Sequence, residues 1–212
     1  MRRVRIKINR TGRPRGLAPV YHLAPLLAAA LLAALPGLPG AAQPVATPQA
    51  GIHNFGKVND NYYRGSQPRA AQLAELKRLG VKTVIDLRKD SEEGAPERAR
   101  AEGLRYFNIP LTTKRPATEE QTEYFLRLVN DPANWPVYVH CKGGRHRTGE
   151  MTAVYRITRD GWTARQAYEE MKTFDFEDSF FYPRSLKKYV FSYYERFAAE
   201  KASKPAARSA AQ

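Results

Sequence analysis

Residues 137–149 read Val-Tyr-Val-His-Cys-Lys-Gly-Gly-Arg-His-Arg-Thr-Gly, and this segment constrains the fold more than any other. The short apolar run Val137, Tyr138 and Val139 predicts a buried strand. It passes directly into a loop of glycines and cations, and from Thr148 to Arg159 the pattern becomes helical. Such a loop gathers backbone N–H groups at the positive end of a helix dipole, which makes an anion site.

Around this segment, strands alternate with helices. Tyr62 and Tyr63 begin a short strand that enters a turn at Arg64-Gly65-Ser66, and Pro68 suits a first helical turn. Leu73, Leu76 and Leu79 mark a helical face that stops at Gly80, and Val81, Val84, Ile85 and Leu87 form a buried strand. A polar helix is predicted over 92–102 and a strand from Tyr106 to Ile109, ended by Pro110. Thr118 with Gln121, and Thr163 with Gln166, fit capping boxes. Leu186, Tyr189, Val190, Tyr193 and Phe197 recur at helical spacing. The alternation implies a single α/β domain with a mainly parallel central sheet flanked by helices. At 212 residues the chain supports one such core.

The first 42 residues carry Arg2, Arg3, Arg5, Lys7, Arg10, Arg13 and Arg15 and no acid, so half of the +14 net charge lies there. An apolar run, Leu26 to Leu35, and the small residues Gly40, Ala41 and Ala42 follow, the pattern of a cleaved export signal. An uncleaved anchor is the alternative, although Pro19, Pro25 and Pro36 break the wider apolar stretch. The expected organisation is a signal peptide at 1–42, a linker at 43–54, the domain at 55–198 and a disordered tail at 199–212. If the signal is cleaved, no stable membrane insertion remains. The basic balance of the domain suits an anionic ligand. Nucleic acid is disfavoured, because no run of Lys and Arg interleaves with aromatics.

Cys141 is the sole cysteine, so no internal disulfide stabilises the domain. A lone Cys is either a small buried hydrophobe or a reactive group. The glycines and cations around Cys141 favour the second. As a thiolate at the base of the loop, it is placed for in-line attack on the phosphorus of a bound phosphate. Arg147 offers a planar fork to two phosphate oxygens. The Thr148 hydroxyl can donate to the sulfur. Gly143 and Gly144 let the backbone approach the phosphate, and Lys142, Arg145 and His146 add positive charge at the mouth.

The sequence His-Cys-x5-Arg-Thr-Gly at 140–149 resembles the signature of the protein tyrosine phosphatase superfamily. The loop, with Tyr-Tyr-Arg-Gly-Ser-Gln-Pro at 62–68 and Val-Ile-Asp-Leu-Arg at 84–88, is similar to the atypical dual-specificity branch and to bacterial exported tyrosine phosphatases. Tyr155 to Ile157, Gly161-Trp162 and Ala167 to Met171 extend the likeness. The resemblance implies the phosphatase fold, a phosphocysteine intermediate, no metal and a fairly shallow pocket; no cofactor is expected, and the export signal points to the periplasm, or to an anchor facing it if the signal is retained. The implied substrate is a phosphorylated protein, through phosphotyrosine, or a small phosphate ester. An inositol phosphate or pyrophosphate is the alternative. Family members supply a general-acid Asp from a loop upstream of the cysteine. Here that position falls near Lys114, and the loop from Ile109 to Gln121 holds no Asp. Glu119 and Glu120 are weak candidates, since acids in a first helical turn are ordinarily dipole partners. The general acid is therefore unknown. Without one, the enzyme should favour aryl phosphates, whose phenol has a pKa of about 10, or pyrophosphates over phosphoserine.

Asp86 and Arg88 end a strand at the edge where ligands bind in open α/β sheets. Arg88 could meet substrate, or the two could form a structural pair. His140 is expected to support Cys141 rather than react. The aromatic stretch Phe174 to Tyr182 could wall the pocket or simply pack on the core. His22, His53, His140 and His146 lack metal-ligand spacing, so no metal site is expected. Two further readings are a rhodanese-type sulfurtransferase, opposed by the Arg-Thr-Gly helix start, and a non-catalytic phosphate-binding module.

Overall fold

The computed structural model describes residues 51–177 and 184–209. These fall in one of the chain's two units, Ala42–Gln212. The expected leader, most of the linker, the last three residues and the 178–183 part of the aromatic stretch lie outside the described residues.

Five strands, β1 (Gly56–Asn59), β2 (Tyr62–Ser66), β3 (Thr83–Arg88), β4 (Arg105–Leu111) and β5 (Val137–Cys141), form one sheet in the order β1-β2-β5-β3-β4. All neighbours are parallel except β1, which pairs antiparallel with β2. Six α-helices are described: α1 (Ala70–Arg78), α2 (Ala95–Ala101), α3 (Glu119–Asn130), α4 (His146–Arg159), α5 (Ala164–Thr173) and α6 (Arg184–Ser209). The expected single α/β domain with a mainly parallel sheet is the observed one.

β5 is central and buried along its whole length, as its continuous apolar run requires. One face of the sheet presents Ile85, Leu87, Val137 and Val139 to Phe125, Met151 and Tyr155 of α3 and α4. The other presents Tyr63, Val84 and Tyr138 to Leu73, Leu76 and Ala99 of α1 and α2. α5 and α6 close over the outer side of α4 through Ile157, Met171, Leu186 and Val190. Truncating a residue as buried as Phe125 to Ala would cost about 3–5 kcal/mol, a large share of the roughly 5–15 kcal/mol by which such domains are stable. This packing fixes the C-terminal ends of β2, β5 and β3 side by side, with Ser66 opposite Cys141 and Asp86 opposite His140.

Both expected capping boxes are present, Thr118 with Gln121 and Thr163 with Gln166. Several boundaries differ from the sequence reading, among them the end of β2, which continues through Ser66 where a turn was expected, and the start of α4, which lies at His146 rather than Thr148. β4 runs through Pro110 to Leu111, which an edge strand tolerates because a proline's missing N–H can face away from the neighbour. α2 starts at Ala95 rather than 92, because Gly94 adopts a left-handed φ of 72° that no helix interior accepts. α6 continues past residue 198 to Ser209, where a disordered tail was expected, through a run whose alanines and basic residues favour helix. The end of the expected linker is docked: Ile52 is buried, and Asn54 bonds to the loop after Cys141.

Candidate active site

Cys141 is the last residue of β5 and is 3% exposed. Residues 142–145 form the following loop, and α4 begins at His146. Three successive loop carbonyls are held from behind. The Gln67 N–H donates to Lys142 O (3.2 Å), Asn54 Nδ2 to Gly143 O (2.9 Å) and Arg64 Nη2 to Gly144 O (2.8 Å). In a trans peptide the N–H points opposite to the C=O. The N–H groups of Gly143, Gly144 and Arg145 are therefore turned to the other side of the loop. There they join the N–H groups of the first turn of α4 in one anion-binding concavity.

Gly144 cannot be replaced within this arrangement. Its φ is +69°, and a Cβ would stand 2.6 Å from the Gly65 carbonyl carbon and 2.7 Å from the Ser66 nitrogen. The loop thus lies flat against the end of β2, which the Tyr-Tyr-Arg-Gly-Ser motif supplies.

Arg147 and Thr148 occupy the first turn of α4. Arg147 Nη1 donates to Leu111 O at 3.2 Å, which anchors the guanidinium to the end of β4. Its Nε is buried without a protein acceptor, and so is the Thr148 hydroxyl. These are two donors next to the loop with no partner among the described residues. The hydroxyl-to-sulfur bond expected for Thr148 is not among the hydrogen bonds of the structure.

Asp86 and Arg88 form a closed pair. Arg88 Nη2 lies 2.6 Å from Asp86 Oδ2, and the Tyr106 hydroxyl donates to the same oxygen at 2.7 Å. Burial opposes the Asp86 charge, but the Arg88 bonds outweigh it and hold the carboxyl at about 2. Asp86 accepts further bonds from Ser91 Oγ and the Arg88 N–H. Arg88 engages Asp86 through both Nε and Nη2, the pairing that the sequence left as one of two readings. His140 stacks on Tyr138 and is 2% exposed. Burial pushes it down to about 4, so it is neutral near pH 7 and its 3.9 Å approach to Asp86 is not an ion pair there. Its Nδ1 lies 3.3 Å from Cys141 O, a supporting contact on the backbone of Cys141.

At the mouth, Lys142 is exposed and Arg145 is half-buried. Arg145 Nε and His53 Nε2 each approach Asp175 Oδ2 at 3.8 Å. The sequence reading placed the His146 side chain among the mouth cations, and the structure corrects this. The ring is buried edge-on against Phe176, 5.3 Å between centroids, and burial depresses its basicity. Its contribution to a phosphate is limited to its backbone N–H. Phe174 and Phe176 pack inward, so the described part of the aromatic stretch serves the core.

Neither Glu119 nor Glu120 is placed as an acid. Glu119 faces the groove between α3 and α6 beside Tyr189 and Tyr193. Glu120 is bonded to Thr118, which favours its ionised form. Lys114 and Arg115 are exposed on the loop where an Asp was expected. That loop is held instead by Glu150 of α4, whose Oε1 accepts from the Ala117 N–H at 2.9 Å. Burial pushes the Glu150 carboxyl up to about 8.

Sequence reasoning missed Asn54, Arg64, Gln67 and Glu150. A signal existed for Arg64 and Glu150: each is a charge inside an otherwise apolar strand or helix face. None existed for Asn54, whose role depends on an 89-residue separation in the chain.

The fold and this loop are those of cysteine-dependent phosphatases, and the chain belongs to the dual-specificity branch of that family. The family described as "DSP-PTPase phosphatase fused to NAD+ Kinase" matches residues 45–181. The chain is 33% identical over 169 residues to the dual specificity protein phosphatase TpbA of Pseudomonas aeruginosa, covering 76% of each chain. The crystal structure of a cysteine-to-serine variant of TpbA in complex with phosphotyrosine superimposes with a TM-score of 0.60 at 29% identity, over 71% of this chain and 90% of the other. The inositol diphosphatase DSP1 of Oryza sativa is 31% identical over 126 residues, 57% of this chain and 56% of that one.

Proposed function

We propose that the enzyme hydrolyses phosphotyrosine and related aryl phosphate monoesters, with Cys141 as nucleophile. The Cys141 sulfur attacks phosphorus as the P–O bond to the phenol breaks. The phenolate leaves and takes a proton from solvent. Water then attacks the phosphocysteine, the S–P bond breaks, and inorganic phosphate and the thiolate are released. The loop N–H groups and the Arg147 guanidinium hold the equatorial oxygens, where charge lies in the transition state. The buried Thr148 hydroxyl, which has no partner among the described residues, is the donor we assign to the departing thiolate. The observation that carries this reading is the set of three outward-tied carbonyls, Lys142, Gly143 and Gly144, directly after Cys141.

A second substrate reading rests on the exposed cations Lys142, Lys114 and Arg115, which would suit a ligand bearing several phosphates. An inositol pyrophosphate also offers a leaving group that needs no acid. Turnover of a phosphotyrosyl peptide, a phosphoseryl peptide and an inositol pyrophosphate, measured side by side, decides between them. Phosphotyrosine is expected to have the highest kcat/KM, and the reverse order with the pyrophosphate would favour the second reading.

We also propose that the chain is exported to the periplasm. The arginine-rich start, the apolar run Leu26–Leu35 and the small residues at 40–42 support this. Among the described residues no helix is long and apolar enough to cross a membrane. Fractionation of cells expressing the full chain, with N-terminal sequencing, tests export, and recovery of the intact chain from cytoplasm would refute it.

A further inference from the structure

Arg64 is a buried cation without a carboxylate partner. It lies in β2, which is otherwise uncharged, and it is 0% exposed. Its Nη2 donates to Gly144 O, while Nε and Nη1 are buried with no acceptor among the described residues. Its guanidinium carbon lies 3.9 Å from the centre of the Phe174 ring, a cation–π contact on one face. Gly56 makes room for that ring, since a Cβ there would come within 2.6 Å of Phe174.

An uncompensated guanidinium in the interior is costly, so the source of its counter-charge needs an account. Among the described residues no acid lies within ion-pair distance of it. Three groups exert a favourable charge on it: Glu170, Tyr62 and Cys141. Glu170 is already bound to Arg156, with Arg156 Nη2 at 2.6 Å and Nε at 3.0 Å. Tyr62 is a buried phenol hydrogen-bonded to Thr152, and burial strongly favours its neutral form. The Cys141 sulfur is the one left uncommitted. Arg64 pairs in register with Val139, two residues before Cys141 on the adjacent strand.

We infer that Arg64 is a positioning residue for phosphoryl transfer: it turns the Gly144–Arg145 peptide so that its N–H faces the oxyanion, and it sets a buried positive charge behind the loop that follows Cys141. This rests on the assignment of Cys141 as nucleophile. It gives the arginine a role that ends with the loop rather than with the strand. A purely structural arginine would affect melting and leave anion binding by the folded protein unchanged.

The test measures binding of inorganic orthovanadate and the rate of Cys141 alkylation by iodoacetamide at pH 7, with melting temperature alongside. Folded Arg64→Met should bind vanadate about 30-fold more weakly and be alkylated about tenfold more slowly, because it loses both the directed bond and the charge. Vanadate affinity within about twofold of wild type in folded Arg64→Met would overturn the inference. If Arg64→Met does not fold, Arg64→Lys decides. It keeps the charge and loses the fork, so a fall of about fivefold is expected, and wild-type affinity would overturn the inference. Either failure sinks only the role of Arg64. The nucleophile assignment fails separately, if Cys141→Ser retains turnover.

Discussion

Arg147 donates from Nη1 to the carbonyl oxygen of Leu111 at 3.2 Å, joining the first turn of α4 to the last residue of β4. The bond leaves the rest of the fork directed by a fixed anchor. A lysine has a single ammonium and cannot hold Leu111 and grip two phosphate oxygens together. Arg147→Lys should therefore lower kcat for p-nitrophenyl phosphate by about 100-fold or more, an effect of roughly 3 kcal/mol, with little change in melting temperature. Steady-state kinetics with a thermal melt checks this.

Gly144 tests the packing of the loop on β2. In Gly144→Ala the new methyl meets the Gly65–Ser66 backbone, which cannot move as a flexible side chain could, and the left-handed φ of +69° adds strain. The variant should be destabilised by about 1–3 kcal/mol and lose most of its activity, because the peptide that bonds Arg64 must shift. Chemical denaturation and vanadate binding measure the two effects separately.

Glu150 predicts a pH dependence of stability. Its carboxyl is pushed up to about 8 by burial, above the ordinary value of 4.5. The folded state therefore holds this proton more tightly than the unfolded state. Its stabilising effect is complete below pH 4.5 and is lost as pH rises through 8. The slope is at most about 1.4 kcal/mol per pH unit within that window. Glu150→Gln keeps an acceptor for the Ala117 N–H and removes the titration. Urea denaturation at pH 5.5 and 8.5 should show a loss of stability in wild type that Glu150→Gln reduces by about half or more. An equal loss in both proteins would contradict this.

The loop that follows β4 carries Lys114 and Arg115 and holds no Asp or Glu between Leu111 and Thr118 to protonate a leaving group. Rates should then depend steeply on leaving-group acidity. Across a series of substituted phenyl phosphates, kcat should fall as the phenol pKa rises, and a phosphoseryl peptide should turn over about 100-fold or more slowly than a phosphotyrosyl one. Fast phosphoserine hydrolysis would mean that a proton donor acts from a residue not identified.

Much of this was legible before the structure. Alternating strand and helix patterns placed β2, β3, β5 and α4 because each depends on its own local composition. The segment around Cys141 was readable because strand, loop and helix start are contiguous. What escaped depends on distant pairings. β1 lacks the apolar run that marked the other strands, and it is defined by pairing with Tyr62–Arg64. The inward turn of His146 depends on Phe176, thirty residues on, and the commitment of Arg88 to Asp86 depends on Tyr106 and Ser91 closing around it. α6 outran its expected end because small residues read equally well as a tail or as a helix.

The most direct test of the central claim is to trap the covalent intermediate. The enzyme is mixed with p-nitrophenyl phosphate, quenched within milliseconds, digested and mapped by mass spectrometry. A phosphoryl group on Cys141, absent in Cys141→Ser together with turnover, is the expected result. A phosphoryl group on another residue, or full turnover by Cys141→Ser, would contradict the account.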